Sequence, residues 1–431
     1  MAAGQGTRMK SATPKHLHPL LGRRLADWAV EAVRSLGAQP LVVVASPAAA
    51  DAFDGVIVAV QHDPLGTGDA VRSAKPFVGD VEAVLIVSAD HPLLTPGVLR
   101  RLVDEHRDSR AAATVLSFEP ADPRAYGRVV RNGDGSLEAI VEARDATEEQ
   151  LAIREVNSSI YVFETARLWP ALDRLEPQNV QGELYLTDAV RFMVEDGHNV
   201  SVMKAPDPDE IEGVNTRVEL ADAAAALRER VNREHMLAGV TIVDPQTTWI
   251  DAEVELEADC TIHPFTVLRG HTRVATGAQV GPHVVAVDAE IGRDVLVGPF
   301  CYLRPGTTLA AGAKAGTFVE LKNAQVGERT KVPHLSYLGD AEVGADTNIG
   351  AGSITANYPH EPGRPKGKTT IGRNVRTGIH NGFQAPVEIG DDAWIAGGSY
   401  ITDDVPPESL AGFPPRQVTK KGYRRRKRDN N

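Results

Sequence analysis

Two unlike patterns divide this 431-residue chain and predict an α/β doubly wound domain followed by a parallel β-helix of the hexapeptide-repeat kind. Over residues 1–213 short apolar runs alternate with amphipathic stretches. From about residue 240 an apolar residue recurs at every sixth position. Between the two lies a stretch, 215–238, with neither Gly nor Pro.

The first domain reads in order. Leu41–Ala45, Val56–Val60 and Ala83–Val87 are continuous apolar runs bounded by turn residues, the pattern of buried parallel strands. Leu25–Leu36 and Ala70–Phe77 between them read as helices. In the 215–238 stretch Val218, Leu220, Ala224, Leu227 and Val231 lie near helical spacing and predict one long connecting helix. The six-residue period then runs through Ile262, Leu268, Val274 and Val280, resumes at Ile291, Val297, Leu303 and Leu309, and ends with Ile389, Ile395 and Ile401. Gly or Ala commonly follows, as at Gly281, Gly298 and Gly350. Each coil of such a repeat buries one apolar residue per face against its neighbours, so the fold is nearly one-dimensional. Pro359–Lys368 breaks the period and is expected to loop out. The expected boundaries are 1–213, a linker helix 214–239, the β-helix 240–405 and a basic tail 406–431.

Composition narrows the class. Apolar residues make up 42% of the chain and aromatics 5%; no run of about 18 apolar residues offers a membrane span. The two cysteines, Cys260 and Cys301, are too few for a disulfide framework and suit a reducing cytoplasm. A net charge of −12 disfavours a general nucleic-acid binder. The tail Lys420, Lys421, Arg424, Arg425, Arg426, Lys427 and Arg428 is the exception, and reads as a solvated end.

Chemistry concentrates in three loops of the first domain. Gly4-Gln5-Gly6 lets backbone approach a phosphate, Thr7 and Arg8 add a hydroxyl and a charged fork, and Lys15 adds a second cation at a reach that spans a triphosphate. Such a loop belongs at the end of a buried strand, yet the chain begins inside it. Either the start lies upstream or the first strand is missing, and an α/β domain without that strand is expected to be unstable. Gln61–Gly68 is a polar, Gly-rich loop at a strand's carboxyl end, where open α/β sheets bind ligands; the Gln61 amide offers donor and acceptor to a uracil edge. Asp90, ending the third apolar run, reads as a Mg²⁺ ligand or, more blandly, a helix N-cap. Asn215 is the expected second ligand.

The string from Ala2 to Lys15 resembles the signature of sugar-nucleotide pyrophosphorylases. Nearly end to end, the chain is similar to the bifunctional N-acetylglucosamine-1-phosphate uridyltransferase/glucosamine-1-phosphate acetyltransferase family, whose members join such a domain to a left-handed β-helix and assemble as homotrimers. The resemblance implies a cytoplasmic, Mg²⁺-dependent enzyme making UDP-N-acetylglucosamine for cell-wall precursors from UTP, acetyl-CoA and amino-sugar 1-phosphates. It assigns catalysis to Arg8 and Lys15, nucleotide binding to Ala2, Ala3, Gly4, Gly6, Lys10, Gln61, Gly66 and Thr67, and metal binding to Asp90 and Asn215. Gly127, Glu142 and Asn157 would hold the sugar phosphate. In the β-helix it makes His334 a general base, with Arg304, Lys322, Tyr337, Asn348 and Lys366 on the sugar phosphate. Asn357, Tyr358 and Ala396 would hold acetyl-CoA.

Departures from the family pattern are few in the first domain: Ala89 and Ser159 replace glycines, and Ala143-Arg144 replaces His-Lys. In the β-helix Ile379 replaces a serine, Pro414 an arginine, and Pro359-His360 an Asp-Gly pair. A buried Ile379 would forgo a hydroxyl's hydrogen bond. Two alternatives stay open at this stage: a single-function nucleotidyltransferase whose β-helix only assembles, and a non-catalytic regulatory subunit of the same architecture.

Overall fold

The apolar runs of the first half fold as strands and the stretches between them as helices, in a computed structural model that describes residues 1–4, 6–359, 361, 363–413 and 417–421. The chain divides into two units, Met1–Leu227 and Arg228–Asn431. Helix Leu25–Arg34 buries Leu25, Ala26, Ala29 and Ala32 on one face, and Asp27 reaches back to the Arg24 backbone to close its first turn. Helix Thr67–Val78 starts after Gly66, whose φ of 117° no side chain tolerates; a Cβ there would meet the Leu184 backbone at 2.6 Å.

The strands of the three apolar runs fall in two sheets, one a parallel pair and the other mixed and six-stranded, rather than in one wholly parallel sheet. Val42–Ala45 pairs parallel with Ile57–Val60, but Ala83–Ile86 runs antiparallel to Val156–Glu164, which also pairs antiparallel with Ala113–Phe118. Val200–Lys204 adds a parallel edge to Ala113–Phe118. The expectation of three parallel strands is corrected here for Ala83–Val87. Ala83–Ile86 is also only partly buried, Ile86 alone being fully so, and an apolar run carries no mark of its neighbour's direction.

Val42–Ala45 and Ala83–Ile86 flank an apolar slot of about 160 Å³, lined by Val30, Val42, Val44, Val71, Val84 and Ile86 among others. Met1 and Ala2 bridge the two strands at one end. The Met1 ammonium donates to the Val87 carbonyl at 2.7 Å, Ala2 N to Val44 O at 2.6 Å, and Ala89 N to Met1 O at 2.9 Å. Thus Ala2 bridges Ala45 in parallel, and the loop that carries Gly4 and Gly6 starts directly from this contact.

Helix Arg217–Leu237 spans the Gly- and Pro-free stretch, and the division between the units falls within it. The second unit is a β-helix of the left-handed hexapeptide-repeat kind, its strands stacked in parallel from Thr241–Ile242 to Leu410–Ala411. The periodic residues are its core: Ile262, Leu268, Val280, Leu303, Val332, Leu338 and Ile349 are fully buried. Coils approach so closely that a Cβ at Gly350 would sit 2.0 Å from the Gly378 carbonyl oxygen. Pro359–Lys368 does interrupt the ladder, between Ile354–Ala356 and Thr369–Ile371. At one corner of successive coils Phe265, His283, Phe300 and Phe318 take left-handed backbone angles (φ 58°, 55°, 57° and 57°). Their rings stack at 4.7, 4.9 and 5.2 Å, and the three phenylalanines are about half exposed.

Candidate active sites

In the first unit the loops read as chemical converge on one cleft of about 620 Å³. Its wall includes Ala3, Gly4, Gly6, Arg8, Lys15, Gln61, Gly66, Thr67, Asp90 and Asn215. Residues some 200 positions apart in sequence meet here. Lys15 Nζ lies 2.5 Å from Asp90 Oδ2 and 3.1 Å from Asn215 Oδ1, and Arg8 Nη2 donates to the same Asn215 oxygen at 2.8 Å. Gly6 permits this: its φ is 60°, and a Cβ would fall 2.5 Å from Lys15 Cβ. Gly4 is under no such constraint, the nearest atom to its would-be Cβ being His16 Nε2 at 3.9 Å.

Asp90 is held from both sides, since Ser88 donates to its other oxygen at 2.6 Å. Burial alone would raise its carboxyl, but Lys15 and the neighbouring His91 and His16 reverse the effect and hold it far below the ordinary carboxylate range. Burial, reinforced by Lys15, lowers His16 to about 4 and keeps it neutral. The N-cap alternative for Asp90 fails, because helix Pro96–Ser109 is capped by Thr95, which accepts from Val98 N at 3.3 Å.

Asp90 and Asn215 fit a hard divalent cation: a carboxylate and an amide oxygen converge on one positively charged atom, the Lys15 ammonium. Among the described residues no group of three or more His, Cys, Asp or Glu could hold a metal. A metal here would therefore draw its remaining ligands from substrate or water.

Gly127, Glu142 and Asn157 form a second cluster that does not line the cleft wall. Asn157 N donates to Gly127 O at 2.8 Å, and a Cβ on Gly127 would lie 3.5 Å from the Glu142 carboxyl. Burial raises Glu142 to about 6, while its contact with Thr187 at 3.4 Å opposes the shift. Asn157 Nδ2 donates to Tyr161 at 2.6 Å, and its neighbours Ser158 and Ser159 reach the cleft.

Three residues expected at the nucleotide are placed differently from the rest. Gln61 donates both amide hydrogens within the protein, to Gly66 O at 3.1 Å and Asp69 Oδ2 at 2.9 Å, so it presents only an acceptor. Ala2 is buried under the strand contact, and Lys10 is exposed at a left-handed turn (φ 47°) away from the cleft wall. Residues that sequence reasoning passed over also line the cleft, including His16, Ser88, Arg124 and Glu219. Glu219 accepts from Asn215 N at 2.6 Å and pairs with Arg124 at 2.7 Å, fixing the loop that carries Asn215. Only proximity to the motifs could have flagged them.

The second unit builds its cluster by stacking. Glu320 registers with Tyr337, and Lys322 with Gly339, one coil apart. Arg304 pairs with Glu320 at 2.9 Å, and Lys366 lies 5.4 Å from the Tyr358 ring centre. Asp340 accepts from Asn323 at 2.8 Å and from Asn357, and contact with Lys366 pushes the Lys322 ammonium below its ordinary value. Exposed His334 ends strand Lys331–His334, and Asn348 lies on the same ladder, beside Lys331. Ala396 is half-buried one coil end away, with its N–H donated to Ala411 O. Ile379 is not buried but 58% exposed, so no buried hydroxyl partner is forgone there. His360, Pro414 and the tail positions 424–428 lie outside the described residues.

Residues 1–189 match the MobA-like NTP transferase domain family. Proteins named bifunctional protein GlmU are similar over the whole length. The one from Trichlorobacter lovleyi is 46% identical, over 100% of this chain and 98% of that relative; the one from Streptomyces avermitilis is 46% identical, over 99% and 94%. The chain belongs to the GlmU family. A third relative, from Kineococcus radiotolerans, is 47% identical over 95% of the chain and 88% of its own length. Membership makes the protein a bifunctional transferase of UDP-N-acetylglucosamine synthesis, with nucleotidyl transfer in the first unit and acetyl transfer as its partner activity. Both the single-function and the non-catalytic alternatives give way to this finding. No described helix is long and apolar enough to cross a membrane.

Proposed function

We propose that the cleft of the first unit binds UTP along Ala3–Arg8 and Lys15 with Mg²⁺ at Asp90 and Asn215, and transfers uridylyl to N-acetylglucosamine 1-phosphate. The observation that carries this reading is the convergence of Lys15, Arg8, Asp90 and Asn215 on one point. A phosphate oxygen of the sugar phosphate attacks the α-phosphorus of UTP, and the α–β bridging bond breaks to release pyrophosphate. No protein nucleophile takes part. Arg8 and Lys15 neutralise the charge that builds on the phosphoryl oxygens, and the cleft positions the attacking oxygen. When bound, the magnesium supplies Lewis-acid stabilisation of the phosphates. Gly127, Glu142 and Asn157 orient the sugar.

In the β-helix we assign His334 as the base that takes the proton from the amine of glucosamine 1-phosphate. The amine nitrogen then attacks the acetyl carbonyl carbon of acetyl-CoA, and the carbon–sulfur bond breaks with coenzyme A leaving as thiolate. A neutral imidazole nitrogen accepts a proton, which suits that role. Arg304, Lys322, Tyr337 and Asn348 would hold the sugar phosphate, and Asn357, Tyr358 and Ala396 the cofactor side. Asp90→Asn is expected to lower pyrophosphate release by about 10³-fold or more while acetyl transfer persists; His334→Ala should do the reverse. Wild-type pyrophosphate release from Asp90→Asn with magnesium as the only metal would refute the metal assignment.

The cytoplasm is the proposed compartment, and a homotrimer the proposed assembly. The stacked corner Phe265, Phe300 and Phe318 supports self-association, because a row of half-exposed rings gains by being covered. Phe300→Glu should lower the sedimenting mass to that of a monomer; an unchanged mass would exclude this corner from the contact.

A further inference from the structure

The two side chains assigned to the metal are already holding a cation of the chain's own. Lys15 Nζ sits between Asp90 Oδ2 and Asn215 Oδ1, at 2.5 and 3.1 Å, and Arg8 takes a second bond to the Asn215 oxygen at 2.8 Å. The remaining Asp90 oxygen accepts from Ser88 at 2.6 Å. A divalent ion arriving alone must displace an ammonium from a nearly fully buried ion pair, with side chains 9% and 14% exposed. In return it gains two protein oxygens, where Mg²⁺ prefers six ligands and dehydrates reluctantly. A nucleoside triphosphate changes both sides of that exchange. Its oxygens complete the metal's coordination and give Lys15 and Arg8 new anionic partners within the same cleft.

We propose that Lys15 is a built-in counter-ion that closes the Asp90–Asn215 pair in the nucleotide-free enzyme, so that divalent metal enters only together with a nucleoside triphosphate. The movement required is small. Lys15 reaches the pair with a flexible four-carbon side chain, whereas its Cβ packs against Gly6, where an added Cβ would fall 2.5 Å from it. The loop therefore stays in place while the ammonium swings from carboxylate to phosphate. The sequence of events is metal-nucleotide entry, transfer of Lys15 to the phosphates, and only then a complete site. This device rests on the reading of Asp90 and Asn215 as the metal pair.

The test is a titration of the full-length protein with Mn²⁺ alone, no nucleotide present, followed by electron paramagnetic resonance of free Mn²⁺. Wild type is compared with Lys15→Met and with Lys15→Gln, whose amide still donates to Asp90 without the charge. Both variants should bind Mn²⁺ at least about tenfold more tightly than wild type, and adding UTP should bring wild type to saturable binding. Far-UV circular dichroism identifies a misfolded variant, in which case the other decides. Mn²⁺ binding by nucleotide-free wild type as tight as that of a folded Lys15 variant would overturn the proposal. Adding Asp90→Asn to the Lys15→Gln protein separates the two levels. If it leaves Mn²⁺ affinity unchanged, the metal-pair reading itself fails. If it weakens binding while the Lys15 variants show no gain, only the counter-ion role falls.

Discussion

The two units assemble their functional groups in opposite ways. In the α/β unit Lys15, Asp90 and Asn215 come from loops up to 200 residues apart, in a unit whose parallel pair and mixed sheet meet at a seam between Val42–Ala45 and Ala83–Ile86. In the β-helix Arg304, Lys322 and Tyr337 come from successive coils, and each strand pairs with the coils beside it. The first arrangement concentrates a charged cluster that few residues control. The second spreads order evenly along a stack, where stability is a sum of neighbour terms. The contrast implies different weak points: backbone closeness in the helix, and the seam with its buried ionisable groups in the α/β unit.

The largest expected effect is in the coil stack. Gly350→Val places a side chain where the first added carbon already meets Gly378 O at 2.0 Å. The nearest atoms are all backbone, of Gly378 and Thr377, so nothing flexible can yield and about 3 kcal/mol or more should be lost. Urea denaturation read by proteolysis within residues 240–405 measures it, and uridyl transfer should be unaffected. In the α/β unit Gly4→Ala meets nothing closer than 3.9 Å and should change stability by less than about 0.5 kcal/mol. Equal costs at the two glycines would erase the distinction between a stacked and a converged unit.

The contrast also explains what the sequence disclosed. A repeat writes its core at a fixed period, so Ile262 through Ile401 could be named as buried from spacing alone, and all are. That Gly6, Arg8 and Lys15 share one cleft was equally legible, because they lie within ten residues. The partner of Ala83–Ile86 was not. It is Val156–Glu164, some 75 residues on, and nothing in an apolar run specifies a partner's direction. The commitment of Gln61 to Gly66 and Asp69 was hidden for a similar reason: a side chain's donors are spent by loop geometry, which residue type does not reveal. Ile379 misled in the opposite sense, an apolar residue on an outward position of a coil corner.

The next effect concerns the seam. Strand amides facing an apolar slot lack the second ladder that holds those of the β-helix, so local opening costs less. Peptides covering Val42–Ala45 and Ala83–Ile86 should exchange hydrogen about 100-fold faster than those covering Gln279–Val280 and Leu296–Val297, read by mass spectrometry at one pH. Equal protection in the two units would mean that apolar cover by the flanking helices compensates fully for the seam.

The smallest effect is acid sensitivity, and it arises in the α/β unit from buried His16 and half-buried Glu142, which act in opposite senses. Burial, with Lys15 beside it, lowers His16 from 6.5 to about 4. Between those values the unfolded chain carries a proton that the folded one refuses, so stability falls as pH falls, by about 2 kcal/mol from pH 7 to 5. Glu142 acts the other way. Burial raises it from 4.5 to about 6, so the folded unit takes its proton first and gains about 1 kcal/mol over the same interval. Asp90, held far below the carboxylate range, stays charged throughout that interval, and the Met1 ammonium that also faces His16 is common to every protein compared. Relative to wild type, His16→Gln should therefore gain about 2 kcal/mol on going from pH 7 to 5, and Glu142→Gln should lose about 1 kcal/mol. Pulse proteolysis in urea, scored on cleavage within residues 1–213, reads both. A wild-type pH slope in His16→Gln would show that the imidazole is not held neutral beside Lys15, and the acid weakness would then lie elsewhere in the unit.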